Sequence, residues 1–207
     1  MKELVIEIGT NEYKVLKDNG YHLCIAKKVD DDNFNVIWQA YGDYLQSNKI
    51  TWNEKYEIFA SLSREDRKKV FANVSPEKIS FGQEILLEAQ GCFGSISQFK
   101  EQDSIGMINQ YQPVYPGLCQ ECTDIYGNTS SLPFYLSSNQ SIPGRFRTKP
   151  VDKILVWFEQ SVESGIAISR YMTGAKEISE STSIQLDMQE KSSMKIVFEQ
   201  YQWKKVG

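Results

Sequence analysis

Short runs in which apolar and polar residues alternate are the feature of this sequence that most constrains its fold. Leu4, Ile6 and Ile8 form the first of these runs. Successive side chains of a β-strand point to opposite faces, so alternation predicts strands with one buried face. Turn residues recur roughly every ten positions through the first half of the chain, the spacing typical of a sandwich or barrel. The pattern therefore predicts an all-β protein.

Two hairpins are predicted directly from this pattern. Residues 21–29 and 34–41 both alternate, and an aspartate-rich segment, 30–33, joins them. At the other end of the chain, residues 177–188 and 194–206 alternate and are separated by a polar segment. Because strands separated by a short polar turn usually pair with each other, we expect a closing hairpin at the C-terminus.

The region between the first hairpin and the centre of the chain contains several further strand patterns. They cover residues 56–61, 69–74, 78–81 and 84–88. A short helix over residues 63–72 is the alternative for part of this region, because its first residues resemble a partial capping signal.

Residues 153–160 fit two interpretations. Their apolar residues have helical spacing, with a proline before the segment and a glycine after it. The same segment contains the continuous run Ile-Leu-Val-Trp-Phe, which is typical of a strand buried on both faces. We favour the strand, because β-branched and aromatic residues are enriched in strands.

The centre of the chain, residues 91–150, differs in composition from the rest. It is rich in Gly, Pro, Ser, Asn and Gln, with short apolar runs between them. This composition predicts short strands separated by long loops. All-β folds can reach the length of this chain, 207 residues, as one unit. We therefore expect a single domain over residues 1–207, an antiparallel sandwich or flattened barrel with long central loops.

The charge of the chain bears on its partners and its location. The formal net charge is −4 and the pI is about 5.2, which predicts no nucleic-acid binding and does not favour an anionic membrane surface. Glu3 and Glu7 interrupt any apolar core of a leader peptide at the N-terminus. We therefore expect a cytoplasmic protein.

The sequence lacks most of the motifs that mark catalytic or metal-binding sites. His22 is the only histidine, so neither a histidine-based triad nor a histidine-rich metal site is predicted. Cys119 and Cys122 form a C-x-x-C pair, which in another context is a redox dithiol or half of a zinc site. Here Pro116 and Gly117 precede the pair and predict a loop. We expect no metal, no cofactor and no obligatory disulfide.

One segment has the composition of a ligand-binding loop. Asn109, Gln110, Tyr111, Gln112 and Tyr115 bring amide and aromatic side chains together in a predicted loop that contains a proline. Amides both donate and accept hydrogen bonds, and aromatic rings add contact area at little entropic cost. The segment therefore predicts a site for a carbohydrate or another small molecule, in a lectin-like, non-enzymatic protein. The alternative is a packed loop whose tyrosines cover the core.

The sequence is also compatible with two other functions. Glu159 and Glu163 form a carboxylate pair, and the apolar neighbours of Glu159 suit the general acid of a cofactor-free hydrolase. A charge that ends a buried strand is the alternative for Glu159. Residues 161–186 alternate at Val162, Ile166 and Ile168, as strands of pore-forming, membrane-active proteins do. An ordinary surface hairpin accounts for the same pattern.

Overall fold

A computed structural model describes residues 1–30, 34–168 and 183–206 of the chain. In these ranges the chain forms fifteen β-strands and one short α-helix, which confirms the all-β prediction. The elements are, in chain order, β1 (Lys2–Ile8), α1 (Thr10–Asp18), β2 (Tyr21–Val29), β3 (Ile37–Tyr41), β4 (Ser47–Ser61), β5 (Val74–Ile79), β6 (Gln83–Leu87), β7 (Phe93–Gln98), β8 (Ile105–Asn109), β9 (Tyr115–Thr123), β10 (Thr129–Leu136), β11 (Gly144–Thr148), β12 (Pro150–Gln160), β13 (Ser183–Asp187), β14 (Ser193–Glu199) and β15 (Gln202–Val206).

The strands form three sheets. The first has the order β10-β9-β4-β1-β14-β15, with β5 paired to β4; the second is β13-β12-β2-β3; the third is β11-β8-β6-β7. Across the described residues each sheet ends in edge strands, so the architecture is a sandwich and not a flattened barrel. One apolar core contains buried residues from all three sheets, including Leu4, Leu23 and Met107.

Most neighbouring strands are antiparallel, as predicted, but two pairs are parallel. Strand β1 pairs with β14 in the register Leu4↔Met194, and β6 pairs with β8 in the register Ile85↔Met107. In both pairs the matched side chains are buried, so the register keeps the apolar faces together. The parallel β1–β14 pair connects the two ends of the chain in the middle of the first sheet.

Two predicted elements are confirmed. Strand β2 pairs antiparallel with β3, as expected for the first hairpin, although residues 31–33 of its tip lie outside the described residues. The ambiguous segment 153–160 lies in β12 and is a strand. Its side chains are buried on both faces: Ile154 faces the main core, and Leu155 and Trp157 face a second apolar cluster.

Two predictions are wrong, one for residues 63–81 and one for the C-terminal hairpin. Residues 69–74 and 78–81 are not two strands; β5 overlaps both, and 63–72 contains no helix. The C-terminal hairpin forms instead between β14 and β15, because β13 pairs with β12 in another sheet. The turn between β14 and β15 has positive φ at Gln200 and Tyr201, a conformation for which neither residue type is a signal. Residues 177–182 lie outside the described part.

The central region has more regular structure than its composition suggests. Five strands, β7 to β11, lie within residues 91–150, and their connections are 99–104, 110–114, 124–128 and 137–143. Helix α1 was not predicted. Most of its surface is polar, and only Glu12 and Leu16 are buried, so the apolar periodicity of a helix is weak.

A lysine lies buried between the first and second sheets. The side chain of Lys27 in β2 is fully buried, and its Nζ donates to Asp152 Oδ1 at 3.0 Å and to Gln120 Oε1 at 2.6 Å. The ammonium also lies 5.3 Å from the ring centroids of Trp38 and Trp52. A buried charge is stable only when it is paired and hydrogen-bonded, and these contacts meet that requirement.

The ion pair changes the titration of both partners. Burial lowers the pKa of the Lys27 ammonium below its usual value, while Asp152 opposes this effect. Burial raises the pKa of the Asp152 carboxyl, but Lys27, Trp52 and Lys2 together outweigh it, so the pKa lies below its usual value. Asp152 therefore stabilises the fold as a carboxylate, and protonation removes that contribution.

Strand β9 includes a Pro-Gly pair that the sequence assigns to a loop. The aromatic ring of Phe59, itself fully buried, lies against Gly117: a Cβ atom on Gly117 would be 2.0 Å from Phe59 Cζ. The glycine is therefore required for close packing within a strand and does not mark a turn.

Gly117→Ala is expected to lower the free energy of unfolding by about 3 kcal/mol or more, because Phe59 is enclosed and cannot move aside. Gly127→Ala is the matched control: it has positive φ but open space around it, so backbone strain alone costs about 1 kcal/mol. Urea denaturation measures both. Equal losses in the two variants would show that Phe59 does not constrain position 117.

Asp152→Asn is expected to lower the free energy of unfolding by about 3–5 kcal/mol, because it leaves the Lys27 charge buried without its partner. The double variant Lys27→Met/Asp152→Asn should lose less than Asp152→Asn alone. Since the pKa of Asp152 is lowered, the difference between wild type and Asp152→Asn is full at pH 5–7. It should shrink below about pH 4, where the unfolded chain takes up the proton. A difference independent of pH would contradict this assignment.

Candidate functional site

An open groove of about 770 Å³ follows the connection between β10 and β11 and continues along β11. We call it the β10–β11 groove; residues 137 and 139–148 line it, together with Asp30 and Tyr135. Asn139 and Gln140 are exposed in it, next to Ser141. The lining is therefore rich in neutral groups that can both donate and accept hydrogen bonds.

Backbone contacts with the predicted ligand-binding loop hold one wall of the groove. Ser141 N donates to Val114 O at 2.7 Å, and Val114 N donates to Ser141 O at 3.1 Å. The side-chain amide of Asn109 donates to Ser141 O at 2.9 Å and to Gln112 O at 3.0 Å. The loop that the sequence predicts to bind a ligand thus holds this wall of the groove in place.

The predicted ligand-binding residues do not converge on one surface. Asn109 is 2% exposed, and its Oδ1 accepts from Tyr111 N, so its amide orders the loop. Tyr111 packs on the main core and over Gly91, whereas Tyr115 packs on a different cluster. These contacts favour the alternative of tyrosines that cover the core.

Gln110 and Gln112 are exposed, but neither lines the groove. Direct ligand binding by Asn109, Gln110, Tyr111, Gln112 and Tyr115 stays a prediction. The groove residues were missed, although the segment Ser-Asn-Gln-Ser at 138–141 has the same kind of signal as the selected loop: amides beside hydroxyls, followed by Pro-Gly.

The charged groups of the groove are mostly paired. Arg147 Nη1 lies 2.7 Å from Glu101 Oε1, and its guanidinium stacks 4.7 Å from the Phe99 ring centroid. Arg145 Nη2 lies 3.6 Å from a carboxylate oxygen of buried Glu84. These pairs fix the two arginines along β11, with donors left over for a ligand.

Among the described residues, Asp30 is the one carboxylate in the lining of the groove. Its Oδ2 accepts from Thr148 Oγ1 at 2.7 Å, and its Oδ1 accepts from Lys149 N at 3.0 Å. Glycoside hydrolysis needs two carboxyl groups on either side of the scissile bond, and the described part of this lining supplies one, which already accepts two hydrogen bonds.

Glu159 lies near the end of β12 with both oxygens engaged. Oε1 forms an ion pair with Arg67, and Oε2 accepts from Trp157 Nε1 at 2.8 Å. Glu163, its predicted partner, is mostly exposed and lies 4.0 Å from Lys69. These contacts favour the interpretation of Glu159 as a charge at the end of a buried strand, and its catalytic role stays a prediction.

The C-x-x-C pair lies in β9 and not in the predicted loop. Cys119 and Cys122 are three residues apart on a strand, so their side chains point to opposite faces and pack in different apolar clusters. Burial raises the pKa of both thiols to about 12, whereas reactive dithiols have lowered values. Nowhere in the described ranges do three potential metal-ligating side chains cluster.

The alternating residues of 161–168 belong to the interior. Val162 and Ile168 are buried in the second apolar cluster, and Ile166 packs against it. Residues 169–182 of the predicted membrane-active segment lie outside the described residues. Among the described helices, none has the length and apolar character needed to cross a membrane.

Comparisons with known proteins give no match: none of the family models, curated proteins or solved structures searched resembles this chain.

Asn109→Ala is expected to lower the free energy of unfolding by about 1–3 kcal/mol, because the backbone groups paired with the buried amide lose their partner. Gln110→Ala and Gln112→Ala, neighbouring exposed amides, should change it by less than about 0.5 kcal/mol. Urea denaturation of the three variants checks this. Equal stability of Asn109→Ala and wild type would contradict a structural role and favour direct ligand binding.

Proposed function

We propose that this protein is a non-enzymatic, lectin-like binding protein that holds a carbohydrate in the β10–β11 groove. The observation that carries the proposal is a preformed groove with the exposed amides of Asn139 and Gln140 at its surface. Within the described residues, neither amide side chain has a hydrogen-bond partner of its own.

The chemistry of the lining matches a polyhydroxylated ligand. Each sugar hydroxyl is both donor and acceptor, as are the amides of Asn139 and Gln140 and the hydroxyl of Ser141. Arg145 adds charge-assisted donors, and the half-buried ring of Phe146 offers an apolar face for the C–H groups of a sugar ring. Small ligands are bound in this way, by a few oriented polar groups beside an apolar surface.

The backbone of the groove also favours binding. The Val114–Ser141 pairing and the Asn109 amide fix the 137–143 connection before a ligand arrives. A preformed wall lowers the entropic cost of binding, because fewer groups must be ordered in the complex.

Asn139→Ala/Gln140→Ala is expected to weaken carbohydrate binding by about 1–3 kcal/mol, the range of interface residues that dominate recognition. A panel of oligosaccharides screened on an array identifies the probe, and calorimetry measures its affinity for the wild type and the variant. Because both side chains are exposed, the variant should unfold at the temperature of the wild type.

Gln98→Ala is the matched control. Gln98 is an exposed amide on β7, at the opposite edge of the sheet that contains β11, so its removal should leave affinity unchanged. An oligosaccharide bound equally well by wild type and Asn139→Ala/Gln140→Ala would place binding elsewhere. A complete panel with no binding at millimolar ligand would overturn the proposal.

A further inference from the structure

The connection between β4 and β5 crosses the surface as a strap, which we define as residues 62–73. Three backbone hydrogen bonds of 2.8 Å tie it to a distant segment: Arg67 N to Ala167 O, Ala167 N to Lys68 O, and Val70 N to Gly165 O. At its base, Leu62 N donates to Asn73 Oδ1 at 2.8 Å. The strap is therefore a fixed part of the surface.

A half-enclosed pocket of about 340 Å³ lies beneath the strap. Leu136 and Ala167, both buried, form an apolar floor, and Val70 adds to it. Phe71 stands at the rim with 69% of its surface exposed, which is unusual for a large aromatic side chain. The pocket has the size of a small-molecule site and an apolar interior.

The charge of the pocket is opposite in sign to that of the chain. Among the described residues, Arg64, Lys68 and Lys69 line it together with one carboxylate, Glu65, whereas the whole chain has a net charge of −4. Lys69 has a weak contact of 4.0 Å with exposed Glu163. A local excess of cations beside apolar surface attracts anions with an apolar part.

Arg64 has unused hydrogen-bonding capacity. Its Nη2 makes a long contact of 3.5 Å with Ile168 O, and its Nε is buried without a hydrogen-bond partner in the described part of the chain. A guanidinium carries five N–H donors, and the terminal donors that this one long contact leaves free can pair with an anionic ligand in the pocket.

We propose that the strap pocket is a second ligand site, which binds a small free organic anion: a carboxylate, sulfonate or phosphate ester attached to an apolar body. The apolar body lies on Leu136 and Ala167 with Phe71 over it, and the anionic group pairs with Arg64. The site shares no lining residue with the β10–β11 groove, so it does not rest on the carbohydrate proposal.

Two fluorescent probes of nearly the same shape test this charge requirement. Anilinonaphthalene sulfonate has an aromatic body with a sulfonate, and N-phenylnaphthylamine lacks the sulfonate. The wild type should bind the sulfonate at one site by calorimetry and bind the neutral probe at least about tenfold more weakly, since one charge-assisted hydrogen bond is worth about this factor. Dodecanoate should displace the sulfonate.

Arg64→Gln should weaken binding of the sulfonate by about tenfold while leaving the neutral probe unchanged. Lys68→Ala/Lys69→Ala changes exposed residues only and should also weaken binding of the sulfonate. This variant therefore still tests the proposal if Arg64→Gln folds poorly. Lys14→Gln, which changes an exposed cation on α1 that lines neither pocket, is the control and should bind the sulfonate as the wild type does.

Three results would overturn the proposal. The first is equal affinity for the two probes, which would indicate an apolar surface without anion recognition. The second is wild-type binding of the sulfonate by both the Arg64 and the double lysine variants. The third is Arg64-dependent co-sedimentation with phosphatidylserine vesicles without displacement by dodecanoate, which would assign the strap to a membrane surface. None of these results affects the oligosaccharide test of the β10–β11 groove.

Discussion

The buried ion pair between Lys27 and Asp152 is the interaction on which the packing of the first sheet against the second depends. Both residues belong to the second sheet, and the first sheet supplies the oxygen of Gln120, 2.6 Å from Lys27 Nζ, and the Nε1 of Trp52, 3.2 Å from Asp152 Oδ1. Such a cluster is stable only when every member is present, because each lost partner leaves a buried polar group unsatisfied. The cluster therefore links the two sheets at this point in the core.

The two proposed sites share one structural principle. Each is built on a connection between strands that is tied by backbone hydrogen bonds to a segment far away in the sequence. Residues 137–143 are tied to Val114, and the strap is tied to Gly165 and Ala167. Polar lining groups can then stay unpaired in the free protein, because the backbone holds them in place. Irregular segments on a rigid scaffold are where binding residues are commonly found.

Several failures of prediction have the same cause. Gly117 resembled part of a turn because the ring of Phe59 that packs against it is invisible in the local sequence. Asn109, Tyr111 and Tyr115 have the residue types of a binding loop, but Asn109 holds backbone carbonyls and the tyrosines pack on two different clusters. Residue type predicts which contacts a side chain can make, and the surrounding fold decides which of them it makes.

The sequence by itself determined the class of the fold and many of its strands, among them β2, β3 and β12, because alternation and β-branched runs reflect the local geometry of a strand. Only the tertiary structure decided which strands are neighbours, including the parallel β1–β14 pair. Alternation places Lys27 on the same face as Ile25 and Val29, yet a lysine in isolation favours water. Its burial follows from partners on β9, β12 and three aromatic rings, which come together only when distant segments pair.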